Sequence, residues 1–120
     1  MKDFYRALLS SYKVKPYRDG FLLSADIMYV GADRKFSFYI KKEGDGFLIS
    51  DRGETLSFLR ENADASRYAL KIYDIATRFE AMLDGGEILM VLPSYESGQT
   101  IRCLHKYLLV VGIIANIDII

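Results

Sequence analysis

The feature that most restricts how this chain folds is a period of two set between turn signals. From Phe36 to Lys42, Phe36, Phe38 and Ile40 alternate with Ser37, Tyr39 and Lys41, which places the apolar side chains on one face of a strand and the polar ones on the other. An earlier run from Phe21 to Val30 follows the turn signal Asp19-Gly20 and is rich in apolar and aromatic residues. "GADR" between the two runs is short enough for an antiparallel hairpin, and "EGDG" from Glu43 to Gly46 joins the second run to "FLIS" in the same way. A three-stranded meander is expected, with Gly46 in a positive-φ turn position.

Helical spacing surrounds this meander. Asp3 to Tyr12 places Phe4, Ala7, Leu8 and Ser11 on one stripe behind an Asp3 cap. After "FLIS", Ser50 or Asp51 stands at a cap position, and Glu54 lies three residues beyond Asp51, the spacing of a capping box. A short helix with Leu56, Leu59 and Phe58 inward follows, broken by "ENADAS". A longer helix from about Ser66 to Leu83 carries Ala69, Ile72, Ala76, Phe79 and Leu83 on one stripe and ends at Gly85-Gly86. "EILMVLP" is a continuous apolar run, expected as a strand covered on both faces or placed centrally. Thr100 to about Ala115 has Ile101, Leu104, Leu108 and Val111 at helical spacing, with a strand over 113–120 as the alternative.

The expected fold is α+β, a small mostly antiparallel sheet (meander plus one later strand) packed by helices in the order α-β-β-β-α-α-β-α. With 120 residues, 51% of them hydrophobic, and no repeat or linker, residues 1–120 are expected to form one domain with one core.

Composition excludes more than it assigns. Sixteen basic and 16 acidic residues cancel, so the molecule lacks the overall positive field that drives nonspecific nucleic-acid binding. Local basic groupings remain at Lys13, Lys15 and Arg18 and at Arg34, Lys35, Lys41 and Lys42, interleaved with Tyr12, Tyr17 and Tyr39. They read first as solvated faces. The single cysteine, Cys103, permits no internal disulfide, which fits a reducing cytosol. The N-terminal residues have no apolar run of signal-peptide type. "YLLVVGIIANIDII" falls short of the roughly 20 apolar residues a membrane span requires, so no membrane association is expected.

The chemistry of named sites is sparse. His105 is the only histidine, and Cys103, two residues away, points to another face of a helix, so neither a zinc site nor a Cys-His pair is supported. No phosphate loop and no nucleophile elbow is present. Asp26, Asp45, Asp51 and Glu54 are the carboxylates with the chemistry to gather a divalent cation, but turn and cap geometry accounts for Asp45 and Asp51 first. No catalytic residue, metal ligand or cofactor is assigned.

"KFSFYIKKEGDGFLISDRGETLSFL" and the later "RFEAMLDGGEILMVLP" resemble an uncharacterised bacterial and phage family, domain of unknown function eighteen twenty-eight. The likeness covers roughly residues 26–117 and departs at Arg52-Gly53, where a second acidic residue is usual. The resemblance implies a phage or mobile-element setting and no established activity. Together with 13% aromatic residues and an oily C-terminal segment, it leads to the expectation of a small cytosolic protein-binding module that inhibits or regulates a host or defence complex, or self-associates. The alternative is a nucleic-acid-binding protein or metal-dependent nuclease. Lys35, Lys41, Lys42, Asp45, Asp51 and Arg52 are the candidate binding residues.

Overall fold

The computed structural model describes residues 2–9, 12–29, 32–62, 65–93 and 97–117. Helix α1 (Lys2–Leu9) leads into four consecutive strands, β1 (Lys13–Tyr17), β2 (Gly20–Tyr29), β3 (Ala32–Glu43) and β4 (Gly46–Ser50). Helix α2 (Glu54–Asn62), a 3-10 turn (Ala65–Tyr68) and α3 (Ala69–Arg78) follow. Strands β5 (Met82–Asp84) and β6 (Glu87–Leu92) then precede the final helix α4 (Ser97–Ala115). The strands form one six-stranded sheet in the order β1-β2-β3-β4-β6-β5, each neighbouring pair antiparallel.

This overturns the expected architecture of a meander plus one strand in the order α-β-β-β-α-α-β-α. Two hairpins account for the difference. Lys13–Tyr17 pairs with β2 across Arg18-Asp19, and its Pro16 is tolerated because β1 is an edge strand. Gly85 and Gly86, expected to stop a helix, have φ 58 and 85 and form the two-residue turn of the β5–β6 hairpin. The long helix therefore does not reach Leu83. It ends at Arg78, and Glu80 adopts φ 66 as the chain turns back.

The sheet buries one face. Phe36, Phe38 and Ile40 of β3 point inward with Phe21 and Leu23 of β2, Phe47 and Ile49 of β4, and Ile88, Met90 and Leu92 of β6. The helices close this side. Phe4 of α1 packs on Phe47 with ring centroids 4.7 Å apart, Phe58 of α2 meets Phe36 at 6.0 Å, and Tyr107 of α4 meets Phe38 edge-on at 5.6 Å. Such tilted arrangements are those aromatic quadrupoles favour. In α4, Leu104, Tyr107, Val110, Val111 and Ile114 are buried, so the helical reading holds over 113–115 against the strand alternative. Residues 118–120 of that alternative, the side chain of the expected Asp3 cap, and the side chain of Arg34 lie outside the described residues.

The β3–β4 turn differs from expectation in which glycine does what. Gly44 holds the positive φ (58) at the first turn position, the pattern of a type II′ hairpin. Gly46 instead lies against β6: a Cβ there would stand 2.5 Å from the Leu92 carbonyl oxygen.

Of the two expectations for β6, covered on both faces or placed centrally, it is an internal strand between β4 and β5 and is covered on one face only. Ile88, Met90 and Leu92 are buried, whereas Leu89 is half-buried and Val91 is exposed. The face of the sheet opposite the helices is thus one of the places where apolar side chains reach the surface, through Val91 and Met82.

Candidate functional site

The acidic stretch after β4 is a structural joint. Asp51 is fully buried, and its carboxylate accepts from three backbone amides: Oδ1 from Gly53 N at 3.0 Å and Ile88 N at 2.9 Å, Oδ2 from Thr55 N at 3.1 Å. One side chain therefore starts α2 and ties it to β6. The Ile88 carbonyl accepts from the Asp51 amide at 3.3 Å and from the Tyr107 hydroxyl at 2.6 Å, which extends the joint to α4. Burial among these groups, with the Asp51 and Glu87 carboxylates nearby, holds the Tyr107 hydroxyl well above its usual pKa. Ser50 Oγ accepts from the Arg52 amide at 2.9 Å and donates to Glu87 Oε1.

The expected capping box is only half present. Asp51 caps, but Glu54 does not reach back to it; Glu54 Oε2 accepts from Ser37 N at 3.4 Å. β4 ends opposite Tyr39, so this carboxylate serves an amide that the sheet no longer pairs. Chemically, three amides fill three of the about four lone-pair directions of the Asp51 carboxylate, and the side chain is fully buried, which is the geometry of a structural acceptor. Among the described residues, no three His, Cys, Asp or Glu side chains cluster so as to hold a metal.

The other sequence candidates separate. Asp45 is exposed at the second position of the β3–β4 turn. Lys42 stands opposite Phe47, on the core-side alternation, at the exposed end of the sheet. Lys35 and Lys41 lie on the helix-free face, Lys35 opposite Asp26 and Lys41 between Gly20 and Leu48. Arg52 is exposed, and its guanidinium lies 5.7 Å from the centre of the Tyr17 ring.

That contact reveals a grouping the sequence signalled only in part. Arg18 also lies over Tyr17, at 5.2 Å, and Tyr17 meets Tyr39 edge-on at 5.6 Å. The Tyr39 hydroxyl donates to Asp19 Oδ1; this hydrogen bond lowers the Asp19 pKa and raises that of Tyr39. Both arginines have positive φ, 52 for Arg18 and 60 for Arg52, a conformation that non-glycine residues adopt at some cost. The turn signal at residues 18–20 marks one end of this cluster; the meeting of Arg18 with Arg52 is a tertiary fact with no local signal.

Beside the cluster lies the apolar half of the same face. Leu48 is paired directly with Val91, and Leu89 with Met82. Val91 is 58% exposed and Met82 45%. Elsewhere, a hollow of about 410 Å³ between Pro93 and α4 is lined by Gln99, Arg102, Cys103 and Lys106, and Cys103 is a free thiol. Among the described residues no helix is long and apolar enough to cross a membrane.

No family model, curated protein or solved structure matches this chain.

Proposed function

We propose that this chain is a protein-binding module that works through the helix-free face of its sheet. The observation that carries this reading is the adjacent set Leu48, Leu89, Val91 and Met82, exposed or half-exposed on β4, β6 and β5 while every helix packs on the other side. Contiguous apolar surface beside aromatic and arginine side chains is the composition of interaction surfaces. The phage or mobile-element setting, and action on a host or defence complex, are the form this reading takes through the family resemblance. A cytosolic setting accords with the free thiol of Cys103.

The test is retention of a protein partner from bacterial extract by the wild type and by Val91→Arg. Val91 is exposed, so the substitution leaves the core intact. Loss of the partner with an unchanged urea midpoint supports the reading, and equal retention by both proteins overturns it.

The nucleic-acid alternative is favoured by one observation, the stacking of Arg18 and Arg52 on Tyr17 beside Tyr39, an arrangement that suits unstacked bases. It predicts oligonucleotide binding that weakens steeply with salt. Its nuclease form has no support from Asp51.

A further inference from the structure

Resting on the reading of the helix-free face as a binding surface, we infer that its occupant is a second copy of this chain, related by a twofold axis parallel to the strands. Charge is distributed unevenly over the face. On the β1–β3 half the outward side chains include Lys13, Lys15, Lys35 and Lys41, and the outward carboxylates include Asp26, opposite Lys35. β4, β5 and β6 contain no lysine or arginine, and their outward charges are Asp84 and Glu87. A neutral molecule has therefore placed an excess of cations on one half of an open face and only carboxylates on the strands of the other.

The strand register shows which rows face each other. One row across the sheet runs Lys15, Leu22, Tyr39, Ser50, Leu89, Met82. Two residues along, the next row has Lys13 at the β1 edge and Glu87 and Asp84 at the other. A twofold axis midway between β3 and β4 lays β1 of one copy over β5 of its partner and β2 over β6, with rows preserved. Lys13 of each copy then faces Asp84 of the other. Leu89 and Val91 face β2 and its Leu22, flanked by Tyr39 and by Tyr17 with its two arginines. Because the interface is isologous, each pairing occurs twice. An axis perpendicular to the strands would instead set lysines over lysines. Neither sheet edge offers an easier route: β1 carries Pro16 and two lysines, and β5 has three residues.

Size sets the expected strength. Six strands about 4.8 Å apart and about 17 Å long give a footprint of roughly 400 Å², below the roughly 800 Å² per partner of a standard interface. The dimer is therefore reversible and dissociates on dilution.

Sedimentation velocity across a dilution series up to about 100 µM tests this. The wild type is expected to approach twice 13.7 kDa at the concentrated end, and Val91→Arg to remain at the monomer mass with an unchanged urea midpoint. Lys13→Glu and Asp84→Lys are each expected to weaken association about tenfold or more by placing like charges opposite one another. The double variant should recover it. A wild type that stays monomeric throughout overturns the inference, as does a dimer indifferent to Val91→Arg or a charge swap that fails to recover. A monomeric wild type that still retains a different protein through Val91 overturns self-association alone and leaves the proposed function standing. Loss of both removes the two together.

Discussion

Asp51→Ala separates a surface helix cap from the buried joint described above. An ordinary N-cap is worth about 1 kcal/mol. Here the methyl group would leave the buried amides of Thr55 and Ile88, and the half-buried amide of Gly53, without their acceptor. A buried donor left unsatisfied costs about 1–3 kcal/mol. Two such donors and the partly open Gly53 amide, offset by no longer desolvating a carboxylate and by local relaxation, give an expected loss of about 3–5 kcal/mol. That is a large share of the about 5–15 kcal/mol available to a domain. Asp51→Asn is the internal control. Its carbonyl at the Oδ1 position keeps the bonds from Gly53 and Ile88, while its amide nitrogen faces the Thr55 amide, donor against donor. Its loss should be smaller, about 2 kcal/mol. Urea unfolding followed by circular dichroism, with m-values compared, gives both numbers. An Ala loss of 1 kcal/mol or less, or an Asn loss equal to it, would refute the three-amide account.

Four further outcomes follow from the same contacts. Gly46→Val should destabilise by about 2 kcal/mol or more because its Cβ would meet the Leu92 carbonyl, and an unchanged melting temperature would show that β6 lies farther away. Thr55 Oγ1 is buried without a hydrogen-bond partner, so Thr55→Val should raise stability by up to about 1 kcal/mol; a loss in the urea midpoint would mean the hydroxyl is bonded. The raised pKa of Tyr107 favours the neutral phenol in the fold. Its contribution is complete below the unfolded value near 10.0 and fades as pH climbs through the raised folded value, so Tyr107→Phe should show a shallower alkaline loss of stability than the wild type. Tyr39→Phe should let the Asp19 carboxyl titrate at higher pH, read by NMR, because the phenol donating to it is gone.

What the sequence made legible was set by how local each signal is. The alternation of Phe36, Phe38 and Ile40 marks β3 because one buried face writes itself into every second residue. Gly85-Gly86 carried an equally local signal, a two-residue hairpin turn, but the apolar stripe running on through Phe79 and Leu83 favoured a longer helix, and β5 is too short to show a period of its own. β1 was hidden by Pro16, which breaks a central strand but not an edge. "EILMVL" read as doubly covered or central because Leu89 and Val91 are as apolar as Ile88 and Met90; hydropathy does not distinguish an internal strand with one open face from one covered on both. The candidate site followed the same rule. Asp51 was readable as a cap because Thr55 is four residues away, whereas its bond to Ile88 spans 37 residues. Arg18 and Arg52 meet at Tyr17 only through the folded sheet.

The central claim is that the helix-free face is the surface that binds. Backbone amide spectra recorded while the protein is concentrated from dilute solution test it most directly, because they report position as well as association. The account predicts shifts and broadening at Lys13, Tyr17, Tyr39, Leu48, Leu89 and Val91, with α3 and α4 silent. Changes confined to Leu9, Leu70, Tyr73 and Leu109, the large exposed apolar residues of the helices among the described residues, would contradict it.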